Sequence, residues 1–182
     1  TFNDSFRLDG VRNAICLSIS FPNYLLFNKW SNTNRKAWGV LMIEPQVLWK
    51  LDCAFFEANA ASESVRHTPL HQRRGHESLT RMFADLCTVA RSELNIPSSY
   101  TSDPQAEVLV FDPIDPKYVV GVHFHDGTTM DEWVASCGSA FPQKPLVSRQ
   151  FFSARSDYRV WQRPATRWIP SPPPNKEDFI FE

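Results

Sequence analysis

The apolar segments of this chain are short, and their lengths constrain the fold more than any other feature of the sequence. Five of them have strand length and end at turn residues, in most cases near a proline, which cannot continue a central strand. They are residues 14–20, 38–43, 53–56, 107–111 and 118–124. One longer segment, residues 78–94, spaces its apolar side chains as a helix does. Short strands with one long helix and no regular alternation predict an α+β fold.

Length and composition fit one globular domain, which we predict to span residues 1–182. Hydrophobic residues make up 42% of the 182 residues and charged residues 21%, as in a folded protein with its own core. The segment 170–182 begins with several prolines and is predicted to be an extended tail. No apolar run reaches the roughly 18 residues of a membrane span, and no secretory signal opens the chain. The first residue is Thr1 rather than Met, as in a fragment or a processed protein.

The spacing of the cysteines and the absence of two glycine motifs argue against several kinds of metal, redox and nucleotide site. Four cysteines are widely spaced without a CxxC pair, which argues against a zinc site and a redox dithiol. Cys16 and Cys87 have apolar neighbours and are predicted to be buried. A reduced cytoplasmic protein is the simpler expectation, with disulfides as the alternative. Because neither GxGxxG nor GxxxxGK[ST] occurs, a Rossmann cofactor site and a P-loop are not supported.

Basic residues concentrate near the carboxyl end although the net charge is only −1. Between residues 144 and 168, arginines alternate with aromatic residues, a composition that suits single-stranded nucleic acid. Arg155, Arg159 and Arg163 would share one face of a helix. The alternative is an ordinary solvated helix face that covers a core of those aromatics.

Two histidines on one strand offer a weak indication of a metal site. His123 and His125 are two residues apart, so their rings lie on one face of the predicted strand. A third ligand is not implied by the sequence, and ordinary hydrogen-bonded histidines explain the pair better. We therefore predict no metal.

Glu107 is the strongest candidate for a catalytic acid. It lies where the turn dipeptide Asp103-Pro104 leads into the apolar run Val108–Phe111. A carboxylate at such a junction is held by a rigid strand and faces the loops, where catalytic groups commonly lie. The alternative is a surface charge at the solvent end of a strand.

Four sequence blocks, taken in order, resemble the DarT family of DNA ADP-ribosyltransferases, which are toxins of toxin–antitoxin and phage-defence systems. The resemblance covers roughly residues 6–125, and its most specific part is Gln-Ala-Glu followed by an apolar strand. The blocks are Arg7-Leu8-Asp9-Gly10, residues 13–24 (NAICLSISFPNY), residues 59–62 (NAAS) and residues 101–110 (TSDPQAEVLV).

The resemblance implies an ADP-ribosyltransferase-like fold, with two small, roughly orthogonal, antiparallel or mixed sheets around an NAD cleft and flanking helices. It also implies transfer of ADP-ribose from NAD to a base of single-stranded DNA, thymine in some members and guanine in others. An antitoxin protein would be a further partner. RNA or protein as the acceptor, and a non-catalytic nucleic-acid-binding module, remain alternatives.

The resemblance also implies roles for residues around the NAD donor. Glu107 matches the catalytic glutamate, and Arg7 matches the arginine near the NAD phosphates, with Arg12 as a competing match. Ser18 and Ser20, which alternate on the predicted strand 14–20, would present a hydroxyl pair towards the cleft, and ordinary sheet-edge polarity is the equal alternative. Asn59 is assigned to the cofactor, although members of the thymine branch carry a histidine there, which leaves the base preference open.

On the acceptor side, residues 95–105 would lie against the DNA base. Tyr100 would stack on it, and Gln105, Arg155 and Arg159 are assigned to DNA binding as well. The family usually opens with a strand whose histidine and threonine contact NAD, followed by a helix. Nothing before Arg7 supplies them, so either the chain is a fragment or this element is missing and NAD binding is compromised.

Overall fold

The computed structural model describes residues 14–27, 38–86, 89–137 and 143–162. These residues form two three-stranded sheets with short helices around them, which confirms the predicted α+β fold. The strands are β1 (Ile15–Leu17), β2 (Gly39–Ile43), β3 (Cys53–Phe56), β4 (Glu107–Val110), β5 (Val119–Phe124) and β6 (Leu146–Val147). The α-helices are α1 (Val47–Lys50), α2 (Gly75–Arg81), α3 (Gly127–Cys137) and α4 (Tyr158–Trp161), and residues 24–27 are helical as well. Short 3-10 helices cover Leu70–Arg73, Arg91–Leu94, Pro116–Tyr118 and Gln150–Phe152.

The first sheet contains the candidate catalytic residue at the start of its central strand. β4 lies between β1 and β3 and is antiparallel to both. All four residues of β3 and the last three of β4 are buried, because side chains pack on both faces of this sheet. Leu109 packs with Phe56 on one face, and Val108 packs with Phe55 on the other. An uninterrupted apolar run is the sequence pattern of such a doubly covered strand.

The second sheet is mixed and is covered on one face by α3. β5 lies between β2, to which it is antiparallel, and β6, to which it is parallel. The rings of Phe124 and Trp133 are 5.4 Å apart between centroids. Asp126 begins α3, since its Oδ1 accepts the Thr129 N–H at 2.8 Å. The Asp126 carboxylate therefore satisfies a helix N–H that has no partner within the helix.

The predicted long helix over residues 78–94 is wrong, because α2 ends at Arg81. The carbonyls that would continue it are used by a distant segment: Met82 O accepts the Ser102 N–H at 2.9 Å, and Ala84 O accepts the Ser102 hydroxyl at 2.6 Å. The chain then turns and forms the 3-10 helix Arg91–Leu94. Tertiary hydrogen bonds thus override the helical periodicity.

The polar stretch 57–77 is folded against β3. Arg73 and Glu57 form a buried ion pair, with side-chain exposures of 5% and 6%. Arg81 also donates to Glu57 Oε1 at 2.9 Å, and the Arg73 guanidinium lies 5.4 Å from the centre of the Phe56 ring. This ion pair fixes the segment that follows β3.

Some predictions concern residues outside the described part of the chain, and one burial prediction is wrong. The tail 170–182, Arg7, Arg12, Cys87 and Arg163 all lie outside the described residues. Cys16 is exposed, not buried, because the short strand β1 lies at the edge of its sheet. None of the described helices is long and apolar enough to cross a membrane.

Candidate active site

Glu107 is held at the point where the buried central strand meets a turn of the preceding segment. It is half-buried and lies opposite Phe56 in the strand register, whereas the next three residues of β4 are fully buried. Its Oε1 accepts the Ala60 N–H at 2.7 Å. A charge-assisted hydrogen bond of this length orients the carboxylate. Two of the four sequence blocks, residues 59–62 and 101–110, therefore meet at this acid.

Asn59 shapes the turn that contacts Glu107. Its side-chain oxygen accepts the Ala61 N–H at 3.0 Å, and its main-chain oxygen accepts the Ser62 N–H at 2.8 Å. Such a side-chain-closed turn is a common use of asparagine. The turn presents the N–H of Ala60 to the carboxylate, so Asn59 shapes the contact that orients the candidate catalytic acid.

Ser18 follows β1 directly and is not on a strand. β1 ends at Leu17, which pairs with Val108, so the ladder stops one residue before Ser18 would face Glu107. Ser18 is exposed, and Ser20 has a positive φ of 61°. The two serines therefore do not alternate on a strand as the sequence suggested, because β1 ends at Leu17 and the chain bends at residues 19–21.

The loop before Glu107 is largely buried and does not form an open mouth. Thr101, Ser102 and Asp103 are each less than 5% exposed. The half-buried Tyr100 packs its ring 5.4 Å from that of Phe21. The N–H of Gln105 donates to Asp103 Oδ1 at 2.6 Å. Of the acceptor residues predicted in this loop, Tyr100 and Gln105 retain partial exposure.

The two arginines assigned to DNA occupy different environments. Arg155 is only 2% exposed, and its guanidinium donates to main-chain oxygens of the loop before Glu107 and to Asp157. It precedes α4, so the predicted helical face shared with Arg159 is wrong. Arg159 is exposed, and its Nε donates to the Tyr158 hydroxyl at 3.1 Å. Of the two, only Arg159 has a guanidinium at the surface.

An aromatic cluster that was not predicted from the sequence links the two sheets. The ring of Phe151 lies 6.2 Å from Phe21 and 5.1 Å from His123. The Nδ1 atom of His123 is buried and has no hydrogen-bond partner among the described residues. His125 contacts Phe152 instead, at 5.8 Å. Within the described ranges, no three potential metal ligands come together.

A cavity of about 360 Å³ lies between the second sheet and α3. Trp38, Phe124 and Trp133 are among its lining residues. None of the predicted site residues lines this cavity. The site is therefore assigned by the contacts of Glu107 and not by the size of a cavity.

Burial raises the pKa of Asp103 to about 7, while the Gln105 N–H and the Arg155 charge act in the opposite direction. The folded protein therefore holds this proton more tightly than the unfolded chain. Its free energy of unfolding should fall as the pH rises from about 4 to 7. We expect Asp103→Asn to remove this loss, which amounts to about 2–3 kcal/mol between pH 5 and 8. Urea denaturation of the wild type and the variant at pH 5 and pH 8 measures this loss of unfolding free energy. An equal pH dependence in both proteins would contradict the raised pKa of Asp103.

Comparison with solved structures identifies the fold. Thermus sp. 2.9 DarT in complex with NAD+ matches with a TM-score of 0.53 and 12% identity, over 78% of this chain and 73% of that one. Thermus sp. 2.9 DarT in complex with carba-NAD+ matches with a TM-score of 0.50 and 14% identity, over 78% and 74%. Thermosipho africanus DarTG in complex with ADP-ribose gives a TM-score of 0.47 and 13% identity, over 77% of this chain and 36% of that one.

The sequence comparison identifies the family. Residues 17–150 match the family model described as "ssDNA thymidine ADP-ribosyltransferase, DarT". A search of curated proteins finds no significant match. Fold and family model together define an enzyme of the NAD-dependent ADP-ribosyltransferase class. Because the family model spans most of its length, the chain belongs to the DarT family. This confirms the resemblance and the ADP-ribosyltransferase fold expected from the sequence.

Proposed function

We propose that this enzyme transfers ADP-ribose from NAD to a nucleobase of single-stranded DNA, with Glu107 as the catalytic carboxylate. The observation that carries the proposal is the placement of Glu107, which is fixed on a buried strand and hydrogen-bonded by Ala60 N–H at 2.7 Å. The description of the family names single-stranded DNA as the substrate, and the Thermus structures contain NAD+ or its carba analogue.

The chemistry of the transfer explains why a fixed carboxylate is needed. The bond between nicotinamide and the ribose anomeric carbon breaks, and nicotinamide leaves with the bonding electrons. Positive charge develops on the ribose, and the Glu107 carboxylate stabilises it. A nitrogen of the base forms the new bond to the anomeric carbon and gives its proton to Glu107. Ala60 N–H holds the carboxylate in place during both events.

The remaining site residues divide between donor and acceptor. Asn59, whose turn presents the Ala60 N–H to Glu107, and Ser18, which follows β1, would contact the ribose side of NAD, with Arg7 on its phosphates. Tyr100 and Gln105 would contact the acceptor base, and Arg159 would contact the DNA backbone. Thymine is the first candidate base, because the family is described by thymidine, and guanine is the second. We further propose a toxin role held in check by an antitoxin protein.

Mass spectrometry of candidate acceptors tests the proposed function directly. The protein is incubated with NAD and with two kinds of single-stranded DNA oligonucleotide. They have the same sequence except at one position, which is thymine in one kind and guanine in the other. We expect one ADP-ribosyl group to be added to one of these oligonucleotides. Matched RNA oligonucleotides and a protein mixture serve as competing acceptors.

Each other outcome selects a different function. Faster labelling of RNA or protein would contradict DNA as the acceptor. Absence of any labelling, together with oligonucleotide binding that weakens with salt, would identify a non-catalytic binding module.

A further inference from the structure

A buried ion pair near the carboxyl end holds the loop that leads to Glu107. Arg155 and Asp157 are each 2% exposed and lie beyond residue 150, where the family match ends. Arg155 Nε and Nη2 donate to the two carboxylate oxygens of Asp157 at 2.9 and 2.5 Å. Trp161 Nε1 donates to the same carboxylate at 2.8 Å. The pair is therefore enclosed and fully oriented by its neighbours.

The remaining donors of Arg155 reach across more than fifty residues of sequence. Nη1 donates to Thr101 O at 2.8 Å, and Nη2 donates to Ser102 O at 3.0 Å. The guanidinium also lies 5.8 Å from the centre of the Tyr100 ring. Arg91 holds the same segment from another side, since its Nη2 donates to Tyr100 O at 2.6 Å and its Nη1 to Ser102 Oγ at 3.0 Å. Two guanidinium groups thus fix the main chain of residues 100–102.

Stability alone is a weak reason for this arrangement. Replacing a buried ion pair with well-packed apolar residues is often neutral or stabilising. The planar guanidinium contributes geometry instead, because it binds two successive carbonyl oxygens and one carboxylate at the same time. The segment that it fixes carries Tyr100 and lies five residues before Glu107.

We propose that Arg155 and Asp157 are positioning residues that set where the acceptor base meets Glu107. The proposal rests on the proposed function and adds to it a control of the acceptor site by residues beyond the family match. Arg155 acts through the loop and does not itself touch DNA. Loss of its geometry should therefore weaken use of the DNA acceptor while NAD binding is unchanged.

The test uses the full chain and measures the kinetics of the DNA acceptor separately from those of the NAD donor. In Arg155→Lys, which keeps the charge but loses the planar donor set, we expect the KM for the oligonucleotide to rise about tenfold or more. The KM for NAD, and the rate of NAD hydrolysis without DNA, should stay within about twofold. Trp161→Phe removes one donor to Asp157 and should raise the same KM by a smaller factor. Arg74→Lys, in the half-exposed pair with Asp52, is the matched control and should change neither KM.

The possible results are distinct. If Arg155→Lys does not fold, the smaller change in Trp161→Phe decides the question. Equal losses in DNA transfer and NAD hydrolysis would show a general structural role and overturn the proposal, as would unchanged kinetics. A wild-type protein that modifies no oligonucleotide would overturn the proposed function first, and the positioning role would fail with it.

Discussion

Glu107→Gln is expected to reduce ADP-ribose transfer by at least about 100-fold, since a positioned general base alone contributes about 10²–10⁴ in rate. The amide keeps an oxygen that can accept the Ala60 N–H, so the local hydrogen bond is retained. What is lost is the negative charge that stabilises the ribose and the base that accepts the proton. Initial rates of transfer from labelled NAD to the oligonucleotide, at saturating NAD, measure the effect.

A surface glutamate provides the matched control for this substitution. Glu77 is exposed in the first turn of α2, and Glu77→Gln should leave the rate within about twofold of wild type. Thermal unfolding of both variants close to that of wild type would show that the fold is intact. Equal transfer by wild type and Glu107→Gln would remove Glu107 from the catalytic role.

The part of the fold that follows from local pattern was predictable. The strands around residues 39–43, 53–56, 107–110 and 119–124 are confirmed within a residue or two, because each is an apolar run bounded by turn residues. The position of Glu107 was predictable for the same reason, as a charged residue at the start of such a run. Its contact with Ala60 was not predictable, because the hydrogen bond joins residues 47 positions apart.

The sequence-based predictions fail where residues distant in sequence form hydrogen bonds with main-chain groups. Residues 78–94 have helical periodicity, but Ser102 donates hydrogen bonds to the carbonyls of Met82 and Ala84, and the helix does not continue. Arg155 shows the same effect in a charged residue. Its spacing from Arg159 suggested an exposed helical face. In the structure the Arg155 guanidinium is buried, because it donates to the carbonyls of Thr101 and Ser102 and to the Asp157 carboxylate. Sequence spacing contains no information on such partners.

Glu57→Leu is expected to lower the free energy of unfolding by about 3–5 kcal/mol, because it leaves the Arg73 guanidinium buried without its carboxylate. Burial already lowers the pKa of Arg73, and the Glu57 charge opposes that shift. Equilibrium denaturation in urea measures the loss. Arg74→Met breaks the half-exposed pair with Asp52 and serves as the control, with an expected cost of about 0–1 kcal/mol.

The double variant Glu57→Leu with Arg73→Met decides whether the uncompensated charge is the cause. It should recover most of the stability lost in Glu57→Leu, because no unpaired buried charge remains. A loss equal to the sum of the two single effects would contradict this explanation. Glu57 lies two residues before Asn59, and Ala60 holds the proposed catalytic carboxylate of Glu107. Glu57→Leu should therefore also slow ADP-ribose transfer at temperatures where the protein is still folded, and the double variant should restore that rate in part.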